Sequence, residues 1–143
     1  SQELGIRVTI EGASEPNSHF RQYICANHPD TKHLHCMLAD QLSGASCSLH
    51  QNEDACHVTT PVDIMVFGSP CDPFSVNRSK RFHEESVMNH AKYDITFKEV
   101  YCAFTTWEPV RALMEQSDGF LLPFHTGSAE TPYQRHVVVD NTL

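Results

Sequence analysis

An α/β fold built on parallel strands is predicted by three features of this sequence. Short β-branched or apolar runs alternate with helical patterns along the chain, the order that βαβ units produce. The run Pro61–Phe67 carries Val62, Ile64, Met65, Val66 and Phe67 with hardly a polar break, the composition of a strand buried on both faces of a sheet. With 143 residues, 40% of them hydrophobic and 20% charged, the chain also has the size and composition of one globular domain with one core.

Arg7–Ile10 (RVTI) reads as a strand ending at Glu11-Gly12, followed by a turn at Ser14-Glu15-Pro16. From Asn17, Phe20, Ile24 and Cys25 recur at helical spacing until Asn27-His28-Pro29 stops the pattern. Lys32–Leu38 has the makings of another short strand. Gln41–Thr60 is rich in Ser, Gly, Asn, Asp and His without periodicity, an irregular connection with room for one short helix. The strand at Pro61–Phe67 stops at Gly68-Ser69-Pro70. Tyr93–Trp107 sets Ile95, Phe97, Val100, Tyr101, Phe104 and Trp107 on one amphipathic stripe, a helix that Glu108-Pro109 ends. Val110–Met114 is the next strand, and Thr131-Pro132 reads as a helix start. Ligands of parallel sheets bind beyond the carboxyl ends of the strands. Glu15, the Pro70-Cys71 loop and Glu115-Gln116 each follow a predicted strand and are expected to converge.

Composition removes several function classes. Lys and Arg number 10 against 18 Asp and Glu, a net charge of −8, so this segment is not a main electrostatic clamp on nucleic acid. No apolar run approaches the roughly 18 residues of a membrane span, and the opening SQELGIRVTI lacks the charged start and apolar block of a signal peptide. Six cysteines spread through such a chain fit reduced thiols in an intracellular setting, nuclear in a eukaryote and otherwise cytoplasmic.

Gly68-Ser69-Pro70-Cys71-Asp72-Pro73-Phe74-Ser75 resembles the nucleophile loop of the DNA cytosine-5 methyltransferases, G-[SP]-P-C-Q-x-F-S, with Asp72 in place of Gln. Met114-Glu115-Gln116-Ser117 followed by Asp118-Gly119 resembles the family's E-N-V segment, with Gln-Ser for Asn-Val. Glu115 lies 44 residues after Cys71, room for the crossover helix that parallel neighbours need. Gly5–Val8 through Ser14–Asn17 resembles the second strand of the family's cofactor fold, with Glu15 at the position of its ribose-binding carboxylate. The resemblance covers most of this chain and the middle of a catalytic domain. It implies an incomplete Rossmann-like S-adenosylmethionine-dependent methyltransferase sheet over residues 1–143. The family's Gly-rich cofactor loop is expected before Ser1, and its Q-x-R-x-R segment and recognition region after Leu143; Tyr133-Gln134-Arg135 comes too soon after Glu115 to be that Arg segment.

The chemistry implied is methyl transfer from S-adenosylmethionine to carbon 5 of cytosine in duplex DNA. Cys71 and Glu115 are the implied catalytic residues, Gly68, Pro70, Phe74 and Ser75 the active-site loop, and Glu15 the cofactor contact. The Cys71 thiolate would add to carbon 6 while Glu115 protonates ring nitrogen 3, making carbon 5 nucleophilic toward the methyl group. The base must leave the stack to reach the thiolate. Arg78 or Arg81 could lower the thiol's pKa if close to it. The segment by itself is expected to be inactive, with DNA held mostly by other segments.

Other readings rank below this one. A catalytically inactive, methyltransferase-like binding protein is the runner-up. A zinc deaminase needs P-C-x-x-C, but position 74 is Phe, and His83-Glu84-Glu85 follows the Pro-Cys instead of preceding it. A Cys/His zinc module is suggested by Cys25-x-x-His28, His33-x-His35-Cys36, Cys47-x-x-His50 and Cys56-His57. These pairs lack a regular finger period and Cys25 falls on the first helix's apolar stripe, so scattered surface histidines and core cysteines are expected and no metal ligand is assigned.

Overall fold

The computed structural model of the chain describes residue 5 and residues 8–50, 56–58, 61–124, 126 and 128–132. Two parallel strand pairs, each closed through a helix, organise them. β1 (Ala13–Ser14), α1 (Ser18–Asn27) and β2 (Leu34–His35) form the first, with Ala13 opposite Leu34 and Ser14 opposite His35. β3 (Ile64–Phe67) and β4 (Arg111–Met114) form the second, in register from Ile64–Arg111 to Phe67–Met114. Between α1 and β3 the chain makes α2 (Leu38–Ser43), and the crossover from β3 to β4 ends in α3 (Val100–Trp107).

Local chemistry explains the element ends. Asn17 caps α1, its side-chain oxygen accepting from the His19 N–H at 2.9 Å. α2 closes on Gly44, whose φ of 73° is the left-handed conformation that glycine adopts without strain. The Ala45 N–H then returns to the Asp40 carbonyl at 2.9 Å. The stripe from Tyr93 to Trp107 is helical throughout, with a π-helical segment at Ile95–Glu99 leading into α3. Glu108, with φ of 44°, ends it before Pro109.

Four expectations are corrected. The strand expected at Arg7–Ile10 is not paired in its described part, Val8–Ile10; the Ile10 carbonyl accepts from Lys32, and ladder pairing begins three residues later at Ala13. The apolar stripe of α1 is not a core face, since Phe20 and Tyr23 are 59% and 63% exposed and Cys25 is also exposed. β3 alternates, with Met65 and Phe67 buried and Ile64 and Val66 exposed, so its apolar run is not covered on both faces. Most consequentially, the described strands make two two-stranded sheets and not one. The helix start at Thr131-Pro132 reaches the limit of the described residues, and its continuation from residue 133 lies outside them, as do Tyr133-Gln134-Arg135, Ile6 and Arg7.

The chain divides into two compact units, one from residues 1–63 with 102–110, the other from 64–101 with 111–143. In the second, Phe74, Val87, Phe97, Phe120 and Phe124 form a buried cluster, with Met88, Tyr93 and Met114 packed on it. The Phe74 ring meets Phe97 and Phe120 edge to face, centroids 5.1 and 5.2 Å apart, a geometry that adds to area burial.

Candidate active site

The second unit builds its site on the carboxyl end of the β3–β4 pair. Past the last paired residues, Phe67 and Met114, the Glu115 N–H donates to the Phe67 carbonyl at 2.9 Å. The loop bearing Cys71 and the segment bearing Glu115 therefore leave the same sheet edge from adjacent strands. Cys71 and Glu115 are both exposed. The Gln116 side-chain amide ties the two segments together, donating to the Ser69 carbonyl at 3.1 Å and to Ser69 Oγ at 3.0 Å. Beside Glu115, the buried Gln116 Oε1 and Ser117 Oγ have no partner among the described residues. Each such atom costs about 1–3 kcal/mol unless something binds it.

The Cys71 loop is held from beneath. The Cys71 carbonyl accepts from the Phe74 and Ser75 N–H groups at 2.9 and 3.0 Å, winding Cys71–Ser75 into a helical turn. Pro73 and Phe74 are buried, so Phe74 anchors the loop in the aromatic cluster and does not line the exposed face. The buried Thr96 hydroxyl donates to the Pro70 carbonyl at 3.0 Å. Ser75 Oγ accepts from the Asn77 N–H at 3.3 Å. Gly68 is exposed, and a Cβ there would meet nothing within 4 Å. Gly119 is the sterically required glycine, because a Cβ on it would overlap the Phe74 carbonyl.

Arg81 is the residue that sequence reasoning undervalued. It is fully buried, and its guanidinium donates to the carbonyls of Phe74 (3.0 Å), Gly119 (2.7 Å), Leu122 (3.3 Å) and Phe124 (2.8 Å). It thereby fastens the Cys71 loop to the segment after Glu115. Burial, and then the neighbouring Arg78, lower its pKa from the ordinary arginine value. Arg78 donates to the Pro73 carbonyl and Ser86 Oγ. Both arginines thus brace main chain, a use of their donors that the sequence did not suggest. Asp72 pairs with Lys92 at 3.1 Å, and the Lys92 hydrogen bond holds its carboxyl below the usual carboxylate value.

Glu15 belongs to the first unit, directly after β1, where its N–H donates to the His35 carbonyl at 3.0 Å. Its Oε1 accepts from the Asn17 N–H at 2.7 Å. Glu15 therefore ends a strand of one sheet, and Cys71 and Glu115 end strands of the other. The first unit also gathers His33, Cys47, His50 and Cys56, whose ligating atoms all lie within 4.8 Å of one another. Burial pushes the Cys47 thiol up, but hydrogen bonds from the Leu34, Leu49 and His50 main chain and the His50 ring outweigh it and hold the thiol below its ordinary value. The shallow grooves lined by Asp30, His33 and His50 and by Arg21, Cys25 and Leu34 include neither Cys71 nor Glu115. No helix among the described residues is long and apolar enough to cross a membrane.

Compared with known proteins, the chain matches no family model, no curated protein and no solved structure.

Proposed function

We propose that this chain carries the nucleophile and the carboxyl group of a DNA cytosine-5 methyltransferase. One observation carries the reading: Cys71 and Glu115 leave the same carboxyl edge of adjacent parallel strands, tied by the Glu115–Phe67 and Gln116–Ser69 hydrogen bonds. Parallel sheets bind ligands at that edge. The exposed Cys71 thiol is open to an extrahelical base.

In this mechanism the Cys71 thiolate bonds to carbon 6 of cytosine. Glu115 hydrogen-bonds and protonates nitrogen 3, so the electron pair displaced from the 5,6 double bond makes carbon 5 nucleophilic. Arg81 and Thr96 fix the loop on which the thiol rides, keeping attack geometry at low entropic cost. Within the first unit, Glu15 keeps the carboxylate that the resemblance assigns to the ribose hydroxyls of S-adenosylmethionine, its Oε1 accepting from the Asn17 N–H. S-adenosylmethionine, when bound, supplies the electrophilic methyl group. Such an enzyme works where DNA is kept, in the nucleus of a eukaryote or otherwise the cytoplasm.

The Asp72–Lys92 pair, at the position where the resembled loop has Gln, favours a second reading as a catalytically dead, DNA-binding relative. A methyl-transfer assay separates the two. It requires a protein that joins this chain to the Gly-rich loop and recognition region implied by the resemblance. Labelled S-adenosylmethionine should then label duplex DNA, with transfer lost in Cys71→Ser and lowered about 10²-fold or more in Glu115→Gln. DNA binding without any transfer by the unaltered protein would establish the second reading.

A further inference from the structure

We propose that His33, Cys47, His50 and Cys56 form a structural zinc site that staples the first unit. The proposal stands apart from the methyltransferase reading, since all four residues lie outside the unit bearing Cys71 and Glu115.

The geometry comes first. Cys47 Sγ and Cys56 Sγ each lie 3.5 Å from His50 Nδ1, and all four ligating atoms fit within 4.8 Å. In tetrahedral zinc, with Zn–S about 2.3 Å and Zn–N about 2.0–2.1 Å, a sulfur and a nitrogen sit about 3.6 Å apart. Two edges of the tetrahedron therefore already have their coordinated length, and the other ligating atoms lie within 4.8 Å. The His33 and His50 rings stand edge to face, centroids 5.2 Å apart, which lets each present a nitrogen to a common centre.

Charge and softness then select the ion. Cys47 and Cys56 are 5% and 2% exposed, too dry for two bare thiolates, whereas two thiolates and two neutral imidazoles around a divalent ion give a neutral centre. Sulfur and imidazole suit zinc, and oxygen-seeking calcium or magnesium would find no ligand here. Four protein ligands leave no open position, the mark of a structural and not a catalytic site.

The chain is folded to build this cluster. His33 immediately precedes β2, and the Ser48 N–H donates to the Leu34 carbonyl at 2.7 Å, laying the Cys47–His50 segment against that strand. His35, fully buried, uses Nδ1 on the Ala45 carbonyl at 2.7 Å, and the Cys56 N–H reaches the Gly44 carbonyl at 2.8 Å. The neighbouring Cys and His residues are placed otherwise: Cys25 is exposed on α1, Cys36 Sγ faces Arg21 Nη1 at 3.6 Å, and the His57 ring packs on Gly44. The unit also needs a staple. Its strands are two residues long, α1 buries no side chain, and the aromatic cluster belongs wholly to the other unit. Small units with so little apolar core rely on metals or cross-links.

Metal analysis of the chain, purified under reducing conditions in the presence of zinc and then dialysed, tests the proposal. Roughly one zinc per chain is expected. Cobalt(II) exchanged into it should give the visible bands of a tetrahedral thiolate site, and chelation should lower the melting temperature. Cys47→Ser and Cys56→Ser should lose the ion, while Cys25→Ser keeps it. Should the serine variants fail to fold, Cys56→His provides the decisive readout, retaining zinc with weakened sulfur-to-cobalt bands. Absence of bound zinc, retention of zinc by both serine variants, or a Cys47–Cys56 disulfide in freshly reduced, zinc-supplied protein would overturn the proposal.

Discussion

Asp72 stands directly beside Cys71, and its carboxylate is engaged by Lys92 across the surface of the second unit. Both side chains are about half exposed, 51% and 49%, so the pair contributes only a fraction of a kcal/mol. Its pH dependence has a definite sign. Because the folded carboxyl is held below its ordinary value, the contribution is complete above the unfolded carboxylate pKa and is lost as pH falls through the depressed folded value. Asp72→Asn should therefore be slightly less stable than the unaltered chain at neutral pH and indistinguishable from it in acid, measured as urea midpoints across pH. A gap that widens on acidification would contradict this. At this scale Cys71 and Glu115 stood out because their neighbours in sequence form a pattern. Arg81 did not, because an arginine whose guanidinium binds the Phe74 carbonyl and three others 38 to 43 residues further on leaves no local signature. The proposed zinc ligands were half legible: the Cys47-x-x-His50 spacing is visible, but its partners His33 and Cys56 are chosen by how the loop lies on β2.

Among the elements, the Asp118–Leu121 turn decides how the Cys71 loop and the segment after Glu115 fit together. It brings Gly119 so close to Phe74 that no side chain can be accommodated there. Gly119→Ala should destabilise the second unit by about 1–3 kcal/mol, since the turn and the loop must move apart. Gly68→Ala, with open space around its Cβ, should stay within about 0.5 kcal/mol of the unaltered chain. Denaturant unfolding of the two variants checks this, and equal stabilities would mean the turn and loop do not pack as described. The helix over 93–107, with its long apolar stripe, and the apolar runs of β3 and β4 lie where their patterns put them. Shorter elements were not. At Val8–Ile10 β-branched residues suggested a strand, yet the ladder forms at Ala13–Ser14, fixed by where β2 meets the chain.

For the molecule as a whole, alternation of strands and helices correctly indicated parallel βαβ units, but it carries no information about which pairs join into one sheet. Among the described residues the strands form two two-stranded sheets, with Glu15 following a strand of one and Cys71 and Glu115 following strands of the other. The net charge of −8 makes this chain a poor clamp for DNA by itself. Its proposed part in the reaction is to present a thiol and a carboxyl group to a base that other segments hold. The most direct test uses duplex DNA carrying 5-fluorocytosine at the target position, with S-adenosylmethionine and the protein that supplies the implied cofactor loop and recognition region. Fluorine at carbon 5 blocks the final elimination, so attack by the thiolate is trapped. A stable protein–DNA adduct, mapped by mass spectrometry to Cys71 and absent in Cys71→Ser, is the predicted result. Intact DNA binding with no adduct would contradict the proposed chemistry.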